Sequence, residues 1–333
     1  MLFLIHGILI LVFLVGIIFT CLLFTNAIEI LGSKLKLGNS ATGSILAVIG
    51  TTLPETIVPI VAIVGSIFSN KTTGSDIALG GIIGSPFMLS CLAISLIGFC
   101  SLLYKKQELE INKKEFLRYY KYFLIAYIVG ILTTFVHNYS IKILISIFLV
   151  TFYIIFIKRT IKKSKENFSE QETEDLIFAK LSKTSNVNSF LIILQTTISL
   201  FGLILSTHYF VKEIISISQL LNFSPLLLSL IITPFATELP ECINSIIWTK
   251  NKKDTLAIAN VLGAVVFQSV VPMSIGILFT PWILDKTILI NSLLVVLCSV
   301  FVLFSVFFTK KITPISLFSC ILFYVGYIIF ILL

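Results

Sequence analysis

Apolar runs long enough to cross a bilayer recur from one end of the chain to the other. Ten can be drawn, at about 2–24, 43–69, 77–103, 119–137, 141–157, 189–211, 224–249, 255–280, 287–308 and 312–333. A membrane helix needs roughly 20 predominantly apolar residues, and each run is near that length. The strands of outer-membrane barrels alternate in polarity, which these runs do not. The pattern therefore predicts an all-α polytopic membrane protein with ten transmembrane helices.

One stretch breaks the pattern. Residues 158–188 are rich in Lys, Glu, Ser and Thr and read as a solvated linker, with a short helix over Glu170–Lys180. The linker divides the chain into five spans in 1–157 and five in 189–333. Lysine and arginine sort with it: the connections after odd-numbered spans, with the span ends beside them, hold twenty of the 24 in the chain. Positive residues favour the cytoplasmic side. Both termini are thus expected outside and the linker in the cytoplasm. The first run lacks a charged n-region and is too long for a cleavable signal peptide, so it counts as a span.

Composition adds little and contradicts nothing. The 333 residues are 57% hydrophobic and 12% charged, with a mean hydropathy of +1.07. The net charge of +8 follows the loops, so topology explains it and a nucleic-acid partner is not expected. The expected surroundings are the lipid bilayer, with the plasma membrane as the default; the sequence is silent on oligomeric state. Six cysteines stand apart in sequence without metal-ligand spacing, and none of the three histidines forms an H-E-x-x-H motif. No nucleophile–base pair is visible, so neither an enzyme nor a resident cofactor is expected.

Within this apolar background two segments carry carboxylates. Thr237-Glu238-Leu239-Pro240-Glu241 lies inside one run, and Thr51-Thr52-Leu53-Pro54-Glu55 lies inside another, 186 positions earlier. A charge at mid-membrane depth costs roughly 3 kcal/mol on insertion scales, so it needs a reason. Each copy occupies the second span of its half. With five spans per half, the halves enter the membrane from opposite sides, which is the pattern of an inverted repeat. The likeness continues into the next span, where Gly80-Gly81-Ile82-Ile83-Gly84-Ser85 aligns with Ala259-Asn260-Val261-Leu262-Gly263-Ala264 at an offset of 179.

The prolines make these segments chemically useful. Pro54 and Pro240 lack an N–H, which releases the carbonyls of Gly50 and Ala236, and Pro59 and Pro234 do the same for Glu55 and Leu230. Carboxylate, hydroxyl and freed carbonyl oxygens at one depth are what a hard cation requires. Glu55 and Glu241 are the expected cation ligands. Glu238 shares a helical face with Glu241 and is a third ligand, a proton carrier or the partner of a backbone donor. Ser85 and Asn260 are further candidates on the partner helices, while the small residues at 80, 81 and 84 predict close helix packing.

On these motifs the chain resembles the calcium/cation antiporter superfamily, the membrane region of sodium/calcium exchangers. Its core pattern is G-T-S-L-P-E followed by G-N-x-x-G-S-N-x-x-N/D. Here the two copies read Gly50-Thr51-Thr52-Leu53-Pro54-Glu55 and Ala236-Thr237-Glu238-Leu239-Pro240-Glu241, within α-repeats 43–89 and 229–269. The resemblance implies a central site of four facing helices in which Glu55 and Glu241 bind calcium with the backbone at Thr51 and Thr237. Thr52, Ser85 and Gln268 fall at other cation-binding positions of the family. The first and sixth helices would slide over the core.

The chain also departs from the family. Its polar pair at the end of the second motif falls on Leu89 and Gln268, its serines on Ser85 and Ala264, and Glu238 stands where serine is usual. The expectation is an antiporter exchanging Ca2+ or a related divalent cation for Na+, with H+ coupling as the alternative. A passive cation channel on the same scaffold is the reading from another class.

Overall fold

The protein is described by a computed structural model covering residues 2–52, 56, 59–60, 63–64, 73–166, 175–181, 188–221, 230–231 and 233–332. Every regular element among the described residues is helical. The first is α1, Leu2–Lys34, ten residues longer than its apolar run because the helix continues into the polar connection. Next come α2 (39–51) and α3 (73–103), each interrupted by a π-helical segment, Thr42–Ala47 and Met88–Ala93 respectively. Helix α4 (Lys113–Leu132) begins where the Asn112 side chain accepts from the Lys114 N–H at 2.9 Å.

Helix α5 spans Tyr139–Glu166, α6 Ile177–Leu181 and α7 Ser189–Leu220. The second LPE segment is split into α8 (Thr233–Thr237) and α9 (Leu239–Lys250). The chain ends with α10 (Asp254–Gln268), α11 (Val271–Phe279), α12 (Lys286–Thr309), α13 (Pro314–Phe318) and α14 (Ile321–Leu332).

Eight stretches among the described residues are long and apolar enough to cross a membrane. They correspond to eight of the ten expected spans. The other two, 43–69 and 224–249, are the LPE spans, and both include residues outside the described ones. The polar linker departs from its expected outline. Its first residues continue α5 to Glu166, and the short helix is Ile177–Leu181. That helix is not simply solvated, because Leu176 and Ala179 are buried against Ala27 and Ile192.

The exterior is apolar as well as the core. Leu11, Val15 and Phe19 on α1 are all more than 60% exposed, and so are Phe304, Phe307 and Phe308 on α12. Such apolar faces suit lipid tails. Polar residues sit inside, where most hydroxyls donate back to a carbonyl of their own helix, as Ser292 does to Ile288 and Ser299 to Val295. The most enclosed stretches are 78–103 and 254–279, at 72% and 78% buried, whereas α1 and α5 are 22% and 28%. Helix α1 packs along α7, and His6 and Glu213 close that pair at 2.5 Å.

Two glycines show how the centre is held together. A Cβ on Gly84 of α3 would stand 2.7 Å from the Leu230 carbonyl oxygen, and one on Gly263 of α10 would stand 2.5 Å from Ser44 Cα. The helices can approach this closely only because both residues lack a side chain. The two contacts are equivalent: 84 maps to 263 at the offset of 179, and 44 maps to 230 at the offset of 186. Close packing is thus the role of Gly84, and the carbonyl that Pro234 releases at Leu230 is pressed against it. Of the cysteines, all six are free and buried, but Cys91, Cys298 and Cys320 do not stand apart. Their thiols meet where α3, α12 and α14 converge.

Candidate functional site: a buried acidic break in the membrane core

The second LPE segment breaks its helix at Glu238, whose backbone sits at φ −84°, ψ 1°. Its N–H still reaches the Pro234 carbonyl at 2.9 Å, and its own carbonyl accepts from Cys242 at 3.1 Å. The chain therefore bends without parting. Thr52, at the equivalent place in the first segment, has φ −80°, ψ 3°. Its N–H reaches the Val48 carbonyl at 3.0 Å, and its carbonyl accepts from Thr56 at 3.2 Å. All three features recur at the offset of 186. The backbone break is the same in both copies, although one carries threonine and the other glutamate.

The Glu238 and Glu241 side chains are completely buried. Neither Glu238 oxygen completes a hydrogen bond, although the Ser85 hydroxyl of α3 lies beside it and Glu241 is close enough to repel it. Keeping a carboxylate charged at this depth costs several kcal/mol unless it is paired or protonated. Glu241 is framed by α10: the Asn260 amide nitrogen donates to the Glu241 backbone carbonyl and to the Ser245 hydroxyl, both at 3.1 Å. The Asn260 amide oxygen has no hydrogen-bond partner.

Of the remaining expected ligands, Thr51, Thr52, Thr237, Ser85 and Gln268 are buried, and their placement differs. Thr51 and Thr52 donate their hydroxyls to Ala47 and Val48 at 3.2 and 2.7 Å, and Thr237 donates to Pro234 at 3.3 Å. A hydroxyl that donates to a carbonyl in this way can still accept. Gln268 ends α10 with its amide nitrogen unpaired. Glu55 and Pro54 lie outside the described residues, so the expected pairing of Glu55 with Glu241 rests on the sequence. Among the described residues no group of three or more His, Cys, Asp or Glu is arranged to hold a metal.

One polar residue escaped the sequence reading. Asn244 lies one turn beyond Glu241, is fully buried, and has no partner for either end of its amide. Each unsatisfied buried group costs about 1–3 kcal/mol. The signal was available, since Asn244 and Ser245 interrupt an apolar run just after the acid.

Beyond the site, α9 ends in a polar seal. The Trp248 indole N–H donates to Glu29 of α1 at 2.7 Å, and Lys253 pairs with the same carboxylate. Lys106 bridges the Thr249 carbonyl at 3.2 Å and Asp254 at 2.5 Å. These contacts tie the end of α9 that carries Lys250 to α1 and to the start of the following helix.

A family profile described as sodium/calcium exchanger protein matches residues 5–161 and 191–333. Several solved structures share the fold. One is the sodium-calcium exchanger NCX_Mj soaked with 2.5 mM Na+ and 10 mM Sr2+, at a TM-score of 0.75, 17% identity and 98% coverage of both chains. The same exchanger soaked with 2.5 mM Na+ and 0.1 mM Ca2+ gives 0.75 and 18% over 97% of both. Soaked without either ion it gives 0.71 and 18%, over 98% of this chain and 99% of that one. No curated protein sequence matches the chain. The match across nearly the whole length, on a fold whose enclosed centre holds two acids, places this multi-pass membrane protein in the sodium/calcium exchanger family of cation-exchange transporters.

Proposed function

We propose that the chain is a secondary antiporter that moves Ca2+, or a related divalent cation, in exchange for Na+. Glu55 and Glu241 are its central ligands, assisted by oxygens of Thr51, Thr52, Thr237, Ser85 and Gln268. The observation that carries this reading is the buried Glu238–Glu241 pair at a helix break whose backbone recurs at Thr52. A permanent negative centre in the membrane is untenable, so ions must fill it at every stage of a cycle. An inverted arrangement of the two halves would let the same site face either side in turn. In this reading the plasma membrane holds the protein, with both termini outside and residues 158–188 in the cytoplasm.

Proton coupling is favoured by one specific feature. Glu238 is an extra carboxyl without a hydrogen-bond partner, and a carboxyl can itself carry the proton that Na+ would otherwise replace. The test for both readings is Ca2+ flux in proteoliposomes with Na+, K+ and H+ gradients imposed one at a time. Flux driven by Na+ supports the sodium reading, and flux driven by pH alone supports the proton reading. Flux that runs passively without any counter-gradient would replace both with a channel.

A further inference from the structure

The α1–α9 interface contains a polar side chain that the acidic site leaves unused. Asn244 follows Glu241 by three residues, which puts it on nearly the same helical face and closer to the Lys250 end. The other polar side chains that follow it on α9 are satisfied. Ser245 donates to the Ala257 carbonyl at 3.2 Å, Thr249 to the Ser245 carbonyl at 2.8 Å, and Trp248 to Glu29 at 2.7 Å. Asn244 is buried with both ends of its amide unpartnered.

The register of α1 shows what stands across from it. Cys21 Sγ approaches the Pro240 carbonyl at 4.0 Å, and Glu29 receives the Trp248 N–H. Both pairs are 219 positions apart, so the two helices run parallel in one register. The residue at that offset from Asn244 is Thr25, which is buried and donates its hydroxyl to Leu22 at 3.2 Å. Its oxygen retains lone pairs. An amide oxygen and a hydroxyl oxygen therefore occupy facing register positions, one turn from the acids and two turns short of the lysine-rich end.

We propose that Asn244 and Thr25 form a second, neutral oxygen station for the transported cation, between the acidic site and the Lys250 side of the membrane. The proposal rests on Glu241 being a cation ligand. A hard cation leaving a carboxylate must meet replacement oxygens at once, and neutral oxygens bind it weakly enough to let it go. Asn244 does not set the affinity of the resting site; it lowers the barrier for the ion to enter and leave it. A purely structural amide would behave otherwise. Replacing an unpartnered buried amide with leucine, which is close in volume, would then be neutral or stabilising.

The experiment compares equilibrium Ca2+ binding in detergent with Ca2+ exchange in proteoliposomes for Asn244→Leu, Asn244→Asp, Thr25→Val and Glu241→Gln. Asn244→Leu is expected to keep the Ca2+ dissociation constant within about twofold and to slow exchange about tenfold. Asn244→Asp tests the neutrality of the station: a carboxylate there holds the ion, so Ca2+ binds more tightly and exchange stays slow. Thr25→Val tests the same station from α1, with a smaller slowing at unchanged affinity. Exchange at the wild-type rate in both Asn244→Leu and Thr25→Val overturns the proposal. So does loss of binding in parallel with loss of exchange in folded Asn244→Leu protein, which would assign Asn244 to the acidic site itself. Wild-type Ca2+ binding by Glu241→Gln would instead overturn the acidic site, whatever the Asn244 variants do.

Discussion

Thr52 and Glu238 occupy equivalent places in two copies of one helix break, with nearly identical backbone angles and the same flanking hydrogen bonds. Their chemistry differs completely. The difference extends to the neighbouring helix, because Ser85 stands beside Glu238 whereas the residue equivalent to Ser85 at the 179 offset is Ala264. One corner of the centre thus combines an acid with a hydroxyl, while the residues equivalent in sequence are threonine and alanine. The shared backbone break goes with one shared sequence feature, the proline two residues after it, Pro54 in one copy and Pro240 in the other. Ion chemistry follows from individual side chains, which are free to diverge on a conserved frame.

The comparison breaks most visibly at the residues that do not diverge. If the two copies contribute equally to the central site, Glu55→Gln and Glu241→Gln should each reduce Ca2+ flux by two orders of magnitude or more, which is about 2.7 kcal/mol. The check is flux in proteoliposomes with protein that remains monodisperse. A defect in only one variant would show that the copies share a backbone but not a function.

Packing supplies the next largest effect. Valine at Gly84 or Gly263 must push a backbone segment of the other copy aside, at a cost of about 1–3 kcal/mol from overpacking. Both variants should lower the thermal unfolding temperature in detergent by similar amounts, since both contacts are equivalent. Unequal losses would mean that one of the two crossings holds the centre together alone.

How much of this was legible in the sequence follows from what each feature depends on. Span count and type depend on runs of twenty apolar residues, and eight such stretches stand where the runs predicted. Helix ends were less legible. Helix α1 reaches Lys34 and α5 reaches Glu166 because a helix continues past the bilayer on polar residues that a hydropathy window discards. The burial of Leu176 and Ala179 goes with contacts to other helices: the Ile177 N–H reaches the Asn26 side chain, 151 positions away, at 3.1 Å and the Phe178 N–H reaches Gln195 at 2.8 Å. At the site, the acids announced themselves because charge in an apolar run is rare. Asn244 was legible only as a polar interruption beside Ser245; that its amide is unsatisfied emerges once its partners can be counted.

Glu238 itself is the sharper probe of asymmetry. Glu238→Ser makes the second copy resemble the first in charge, leaving Glu241 as the acid of that segment. If Glu238 carries the proton, Ca2+ uptake driven by a pH gradient alone should fall about tenfold, or about 1.4 kcal/mol, while any Na+-driven uptake is less affected. Uptake that ignores the pH gradient in both proteins would remove Glu238 from the coupling chemistry.

The smallest effect isolates the corner rather than the residue. Ser85→Ala removes the hydroxyl beside Glu238, and a single hydrogen-bonding group of this kind contributes about 0.5–1.5 kcal/mol. If its role is to serve Glu238, the substitution should weaken proton-driven uptake several-fold in the wild-type background and have no further effect in Glu238→Ser. A double-mutant cycle on the uptake rates measures that coupling directly. Additive losses would separate Ser85 from the acid and return it to the shared ligand set. Ala264→Ser is the mirror experiment: with threonine rather than an acid at position 52, an added hydroxyl has no charged partner to assist and should leave uptake unchanged.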